Sequence, residues 1–179
     1  MPTEHEYKYL VSMDLAGRTG TDFLTKKAKE IQQIKQGYLN FSKGTSTRVR
    51  CITNDKENWS FTYKQKVGER VIEIEKKKLD NRDGQDLWSV CIGKLEKTRY
   101  VVEDNGLKWE IDFFKNGDKV YFVLAEIELP EGAPRPESVP NFLKDRVLYE
   151  VGLEDDRFSS KRLSDVEFAT NLYKLFQDV

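Results

Sequence analysis

Histidine and cysteine are scarce in this chain, and each scarcity closes off a class of chemistry. A single histidine, His5, leaves no histidine acid–base pair and no His-rich zinc site. Two cysteines at unrelated spacing, Cys51 and Cys91, make neither a disulfide framework nor a metal motif, so they read as ordinary reduced thiols. No apolar run reaches membrane-spanning length and nothing reads as a signal peptide, so a cytoplasmic location without a membrane partner is expected. A net charge of −1 and a pI near 6.0 supply no basic surplus for coating a nucleic acid polymer. Four of the five prolines, Pro130, Pro134, Pro136 and Pro140, fall in one loop, and no low-complexity tail or linker divides the chain. Residues 1–179 are therefore expected to form a single domain, within the usual span of roughly 100–200 residues.

What the chain has in abundance is charge, carried by 34% of its residues. That charge is ordered along a series of predicted strands. EHEYKYLV, QGYLNF, STRVRCI, WSFTYKQKV, RVIEIEKKKL, KLEKTRYVVE, LKWEIDFF and VYFVLAEIEL read as strands, separated by turn chemistry such as Asn54-Asp55, Gly68, Asn105-Gly106 and Asn116-Gly117-Asp118. Helices are few. Phe23, Leu24, Lys27, Ala28 and Ile31 share a helical stripe behind Thr21 or Asp22, predicting a helix over 21–33. NRDGQDLWSVCI reads as a second helix, and Phe168, Leu172, Leu175 and Phe176 mark a third over 164–177.

Period-2 alternation sorts each strand into a charged and an apolar face. The charged faces carry Glu4, Glu6 and Lys8; Arg48 and Arg50; Lys64 and Lys66; Glu73 and Glu75; Lys97 and Arg99; Glu110 and Asp112; and Glu126 and Glu128. The opposite faces carry residues such as Val49 and Cys51, Ile72 and Ile74, Trp109, Ile111 and Phe113. A half-solvated antiparallel sheet would explain any one strand. It would not explain the sorting by sign, because surface strands usually intersperse Lys with Glu. The favoured reading closes the strands into a barrel with the charges inside and the apolar faces outside, covered by helices such as 21–33 and the C-terminal one. Eight acids and seven bases would then share one lumen. Carboxylates so confined need hard divalent cations, and converging lysines and arginines need a dense anion; a polyphosphate with Mg²⁺ or Mn²⁺ answers both.

The opening E-H-E-Y-K resembles the ExExK signature of the CYTH superfamily, the triphosphate tunnel metalloenzymes. The resemblance continues through QGYL, T-R-V-R, the Lys64 strand, R-V-I-E-I-E, K-T-R-Y-V-V, W-E-I-D-F-F, L-A-E-I-E-L and E-V-G…R-F-S-S, covering nearly the whole chain. It implies an α+β, mainly β fold: an eight-stranded antiparallel closed tunnel with a charged lumen and helices packed outside. It implies Glu4, Glu6, Glu126 and Glu128 as metal ligands, with Glu110 and Asp112 supporting the metals or a second ion. Lys8, Arg48, Arg50, Lys64, Lys66, Lys97 and Arg99 would bind phosphate, Lys66 at the tunnel mouth; Lys8, Glu73 and Glu75 are the implied catalytic residues, the two glutamates positioning or deprotonating water. The activity implied is metal-dependent hydrolysis of a triphosphate, with inorganic tripolyphosphate first. Class IV adenylate cyclase and thiamine triphosphatase are the alternatives, and a non-catalytic polyphosphate-binding module is disfavoured by the full set of acids. Monomer and homodimer both remain open.

Overall fold

The computed structural model of the chain describes residues 4–68 and 70–177. It is a mainly-β α+β fold whose nine strands form an antiparallel sheet, with few helices. By compactness the chain divides into two units, one of residues 1–31 and 98–179 and the other of residues 32–97.

In the first unit the strand order is β6 (Gly93–Asp104), β7 (Leu107–Asn116), β8 (Lys119–Pro130), β1 (Glu4–Val11) and β9 (Val147–Val151). The odd-numbered side chains behave as the alternation requires: Tyr7, Tyr9, Trp109, Ile111, Phe113, Val123, Ala125 and Ile127 are buried in one core. Leu15, Leu24 and Leu143 pack into that core, Leu24 from α1 (Arg18–Lys27). Arg135, from the proline-rich loop, stacks on the rings of Tyr7 and Tyr9 at 4.9 Å and donates to the carbonyls of Lys8 and Val151, tying β1 to β9.

In the second unit β5 (Arg70–Leu79), β4 (Glu57–Val67), β3 (Thr45–Thr53) and β2 (Glu30–Tyr38) pair in that order. The helix α2 (Asn81–Ser89), capped by the Asp80 side chain, covers Val49, Cys51 and Trp59 through Leu87 and Trp88. Gly84 lets it approach: a Cβ there would lie 2.4 Å from the Trp59 ring.

Four expectations are corrected. The hydrogen-bonded order has nine strands and ends at β5 and β9, so pairing does not close an eight-stranded barrel. The additional strand, β9, is five residues long and borrows the free edge of β1 through Lys8↔Val151 and Tyr9↔Glu150. The helix expected over 21–33 spans Arg18–Lys27 instead: Ala28 turns extended, Lys29 N donates to the Val101 carbonyl, and residues from Glu30 onward join β2. The apolar face of β5 is uncovered, with Ile72 and Ile74 48% and 58% exposed, because nine-residue α2 reaches only the Trp59 end.

The fourth concerns the C-terminal helix α4 (Val166–Gln177), which packs on the face opposite the one expected. Tyr173 contacts Phe122 at 6.3 Å between ring centres, as does Phe158 at 6.0 Å, and the Tyr121 hydroxyl donates to the Leu163 carbonyl. Phe122 alternates onto the side of β8 that carries Leu124, Glu126 and Glu128. The charged face of this unit thus ends in an apolar patch of Leu10, Phe114, Phe122 and Leu124, and the C-terminal segment covers it. No helix among the described residues is long and apolar enough to cross a membrane.

Candidate active site

Register brings the predicted residues of the first unit side by side. Glu126, near the middle of β8, faces Lys8 across β1 and Glu110 across β7, while Glu128 faces Glu6. Glu4 holds the register position opposite Pro130, and its side chain lies outside the described residues. Like-charged residues opposite one another repel, so Glu110↔Glu126 and Glu6↔Glu128 need compensation.

Arg99 on β6 supplies part of it. Its Nε and Nη2 donate to Asp112 Oδ1 and Oδ2, each at 2.7 Å, in a two-pronged bond buried on both sides. Its Nη1 pairs with Glu110, and its Nη2 lies 3.7 Å from Glu126 Oε2. Burial pushes the guanidinium pKa down, yet Asp112, then Glu126 and Glu110, more than offset it, and the net shift is upward. Arg99 is therefore a fixed positive charge among three acids. Asp112 is fully buried, with both oxygens engaged by Arg99.

Glu6 shows the second form of compensation. Burial works to raise its pKa, but a hydrogen bond with Glu126 and the charge of Lys8 outweigh that and leave it lowered. The positive charges of Lys8 and Arg99 thus favour the ionised form of Glu6 against its burial and the repulsion of Glu128. Lys8 stands 3.7 Å from Glu6 and donates to the Phe158 carbonyl at 3.4 Å. Glu6, Glu110, Glu126 and Glu128 line a cavity of about 130 Å³ together with Lys108, which lies 3.4 Å from Glu110. A larger cleft of about 410 Å³ is lined by His5, Glu6 and Lys8 together with residues 151–156 and Ser159.

Among the described residues no three Asp, Glu, His or Cys side chains are arranged as a ready metal cage. The donor chemistry nevertheless fits a hard divalent ion: four carboxylates line one small cavity and offer oxygen ligands only.

In the second unit Arg48, Arg50, Lys64, Glu73 and Glu75 share one face. Arg48 and Arg50 stand opposite Tyr38 and Gln36 of β2, Lys64 is directly opposite Glu73, and Glu75 is opposite Thr62. The sign-sorted strands find their partners here, with Lys64 and Glu73 paired at 3.3 Å. Lys66 is exposed, and Lys97 is fully buried. Sequence reading overlooked Gln36, Thr62, Lys108 and Arg135. Gln36 and Thr62 were discoverable by alternation from Tyr38 and Lys64, whereas nothing local marks Arg135, which acts across 127 residues.

A charged, sign-sorted face on a mainly-β antiparallel sheet defines the class of protein, and sequence comparison supplies the family. The chain matches the CYTH domain family model over residues 2–160 and belongs to that family. It is 32% identical over 132 residues to the inorganic triphosphatase of Acetivibrio thermocellus, an alignment covering 73% of this chain and 77% of that protein. The crystal structure of the inorganic triphosphatase NE1496 is similar at a TM-score of 0.57 and 26% identity, over 92% of this chain and 95% of that one. A Hippeastrum protein described as a putative adenylyl cyclase with a dominant triphosphatase activity shares the fold at a TM-score of 0.53, 18% identical over 70% and 79% of the chains.

Proposed function

We propose that the chain is a divalent-metal-dependent triphosphatase that cleaves inorganic tripolyphosphate to pyrophosphate and phosphate. The observation that carries the proposal is the register that brings Glu6, Glu110, Glu126 and Glu128 around one cavity, with Lys8 opposite Glu126 and Arg99 fixed among the acids. The similarity to proteins named inorganic triphosphatase supports the reaction class. In the reaction, water oxygen bonds to a terminal phosphorus, the bridging P–O bond breaks, pyrophosphate leaves with that oxygen, and a water proton is released.

Glu4, Glu6, Glu126 and Glu128 would hold a divalent ion such as Mg²⁺ or Mn²⁺, with Glu110 beside them; a second ion is part of the expectation. When bound, such an ion offsets charge on phosphate oxygens and aligns them. Lys8 and Arg99 are proposed to meet phosphate oxygens at the acidic end, with Asp112 setting the plane of the Arg99 guanidinium. Arg48, Arg50, Lys64, Lys66 and Lys97 are the proposed substrate cations of the second unit. Glu73 and Glu75 are proposed to orient water, Glu73 while paired with Lys64. Positioning and charge compensation supply most of the acceleration in such chemistry. The single working domain and the cytoplasmic location expected from the sequence belong to this proposal too.

The test is phosphate release from tripolyphosphate, thiamine triphosphate, ATP and pyrophosphate with Mg²⁺ or Mn²⁺, run beside a cyclic AMP assay. Preference for tripolyphosphate is the expected outcome. Cyclic AMP formation, or preference for thiamine triphosphate, would reassign the substrate, and no turnover of any triphosphate would overturn the proposal.

A further inference from the structure

We infer that Gln36 is a positioning residue for substrate binding, a buried amide whose task is to hold the guanidinium of Arg50 in a fixed plane. The inference rests on the reading of Arg50 as a triphosphate-binding cation. Gln36 is the residue directly opposite Arg50 in the β2–β3 ladder, and it is completely buried. A glutamine in so dry a place is costly unless both ends of its amide are engaged.

Both are. Arg50 Nε donates to Gln36 Oε1 at 2.7 Å, and Gln36 Nε2 donates to the Tyr38 hydroxyl at 2.5 Å. The direction of this relay is chemically forced. Arginine has no acceptor, so the carbonyl end must face Arg50, and the amino end is left for Tyr38. Tyr38 in turn stands opposite Arg48, whose Nη2 donates to Thr62 Oγ1 at 3.3 Å. Two arginines on one strand are thus each held by a neutral side chain of an adjacent strand. A neutral acceptor orients a guanidinium without cancelling its charge, which a carboxylate would do; Asp112 and Arg99 are the contrasting case in the same chain. Gripping Arg50 by Nε also fixes the plane of its terminal nitrogens, the groups with the geometry to meet two phosphate oxygens together. A freely rotating arginine would lose that orientation with each encounter.

The test uses the full-length protein with tripolyphosphate and Mg²⁺, in four variants: Gln36→Leu, Gln36→Glu, Arg50→Ala, and Gln36→Leu with Arg50→Ala. Gln36→Leu is expected to raise KM about tenfold with kcat within about twofold, the pattern for lost uniform binding through a charged hydrogen bond. Gln36→Glu keeps the shape and the acceptor for Arg50 Nε, with the Tyr38 hydroxyl turned to donate to the new carboxylate, so it should fold while raising KM by cancelling the Arg50 charge. Calorimetric titration of tripolyphosphate without metal should show the same loss of affinity, independent of turnover. The double variant should be no worse than Arg50→Ala alone. An unchanged KM in Gln36→Leu or in Gln36→Glu, or losses that add independently in the double variant, would overturn the positioning role and leave the proposed function standing. An unchanged KM in Arg50→Ala would overturn the substrate assignment of Arg50 and this inference with it.

Discussion

Arg99 and Asp112 form a buried pair that is expensive to break from either side. Asp112→Asn removes the counter-charge and half of the two-pronged bond, while Glu110 and Glu126 still face the guanidinium. The expected loss is about 3 kcal/mol, the low end for an uncompensated buried charge, read as a lower midpoint in chemical denaturation with an unchanged slope. Glu126→Gln should behave differently. It keeps the volume and relieves repulsion from Glu110, so stability should hold or rise, whereas metal-dependent turnover should fall by 100-fold or more if Glu126 is a ligand. Parallel losses of stability and activity in Glu126→Gln would count against that role. Alternation gave the face of every one of these residues, because period 2 is a property of a single strand. It did not give the partner of Arg99. Which basic side chain meets which acidic one depends on strand order and register, and those are set by pairings across the chain.

Elements were less legible than faces, and the reasons are physical. Residues 28–33 carry a stripe that suits a helix, but the backbone of Lys29 finds the Val101 carbonyl and the segment extends into β2, a tertiary hydrogen bond overriding a local pattern. The strand β9 has five residues and little alternation of its own, so only the edge of β1 makes it a strand. Helix α4 was expected from its stripe, yet a stripe does not say which side of a sheet it will cover. The second helix was read correctly, and it yields a prediction with an unusual sign. Gly→Ala inside a helix ordinarily gains roughly 0.5–1 kcal/mol. Gly84→Ala should instead destabilise by about 1–3 kcal/mol, because the new methyl would press on the Trp59 ring at 2.4 Å. Thermal unfolding with tryptophan fluorescence would register both the lower Tm and the disturbed ring, and a gain in stability would mean that α2 is free to shift.

For the whole molecule, pH reveals how the buried phenols contribute. Burial, with the charge of Asp165 adding to it, pushes Tyr121 from 10.0 up to about 12. Burial likewise moves Tyr9 and Tyr100 upward. A phenol whose folded pKa is raised favours folding in its neutral form, so this stability is fully present below pH 10 and is lost as pH climbs through 12. Alkaline titration should show denaturant midpoints falling from about pH 10, and Tyr121→Phe should flatten that fall while sacrificing the bond to the Leu163 carbonyl. An equally steep fall in Tyr121→Phe would assign the alkaline transition to other groups.

The place of β1 between β8 and β9 bears on how the chain comes off the ribosome. Once made, β1 waits for residues 119–130 and 147–151 before either of its edges is paired. Glu6 and Lys8 therefore have no partner strand until residues 119–130 have been made, and their charges keep an emerging, aromatic-rich strand hydrated and unattractive to other nascent chains. Assembly of the acidic cavity is then a late, long-range closure, slow by the standards of local contacts, and a polypeptide stalled before residue 119 would expose the strand without completing any part of that cavity.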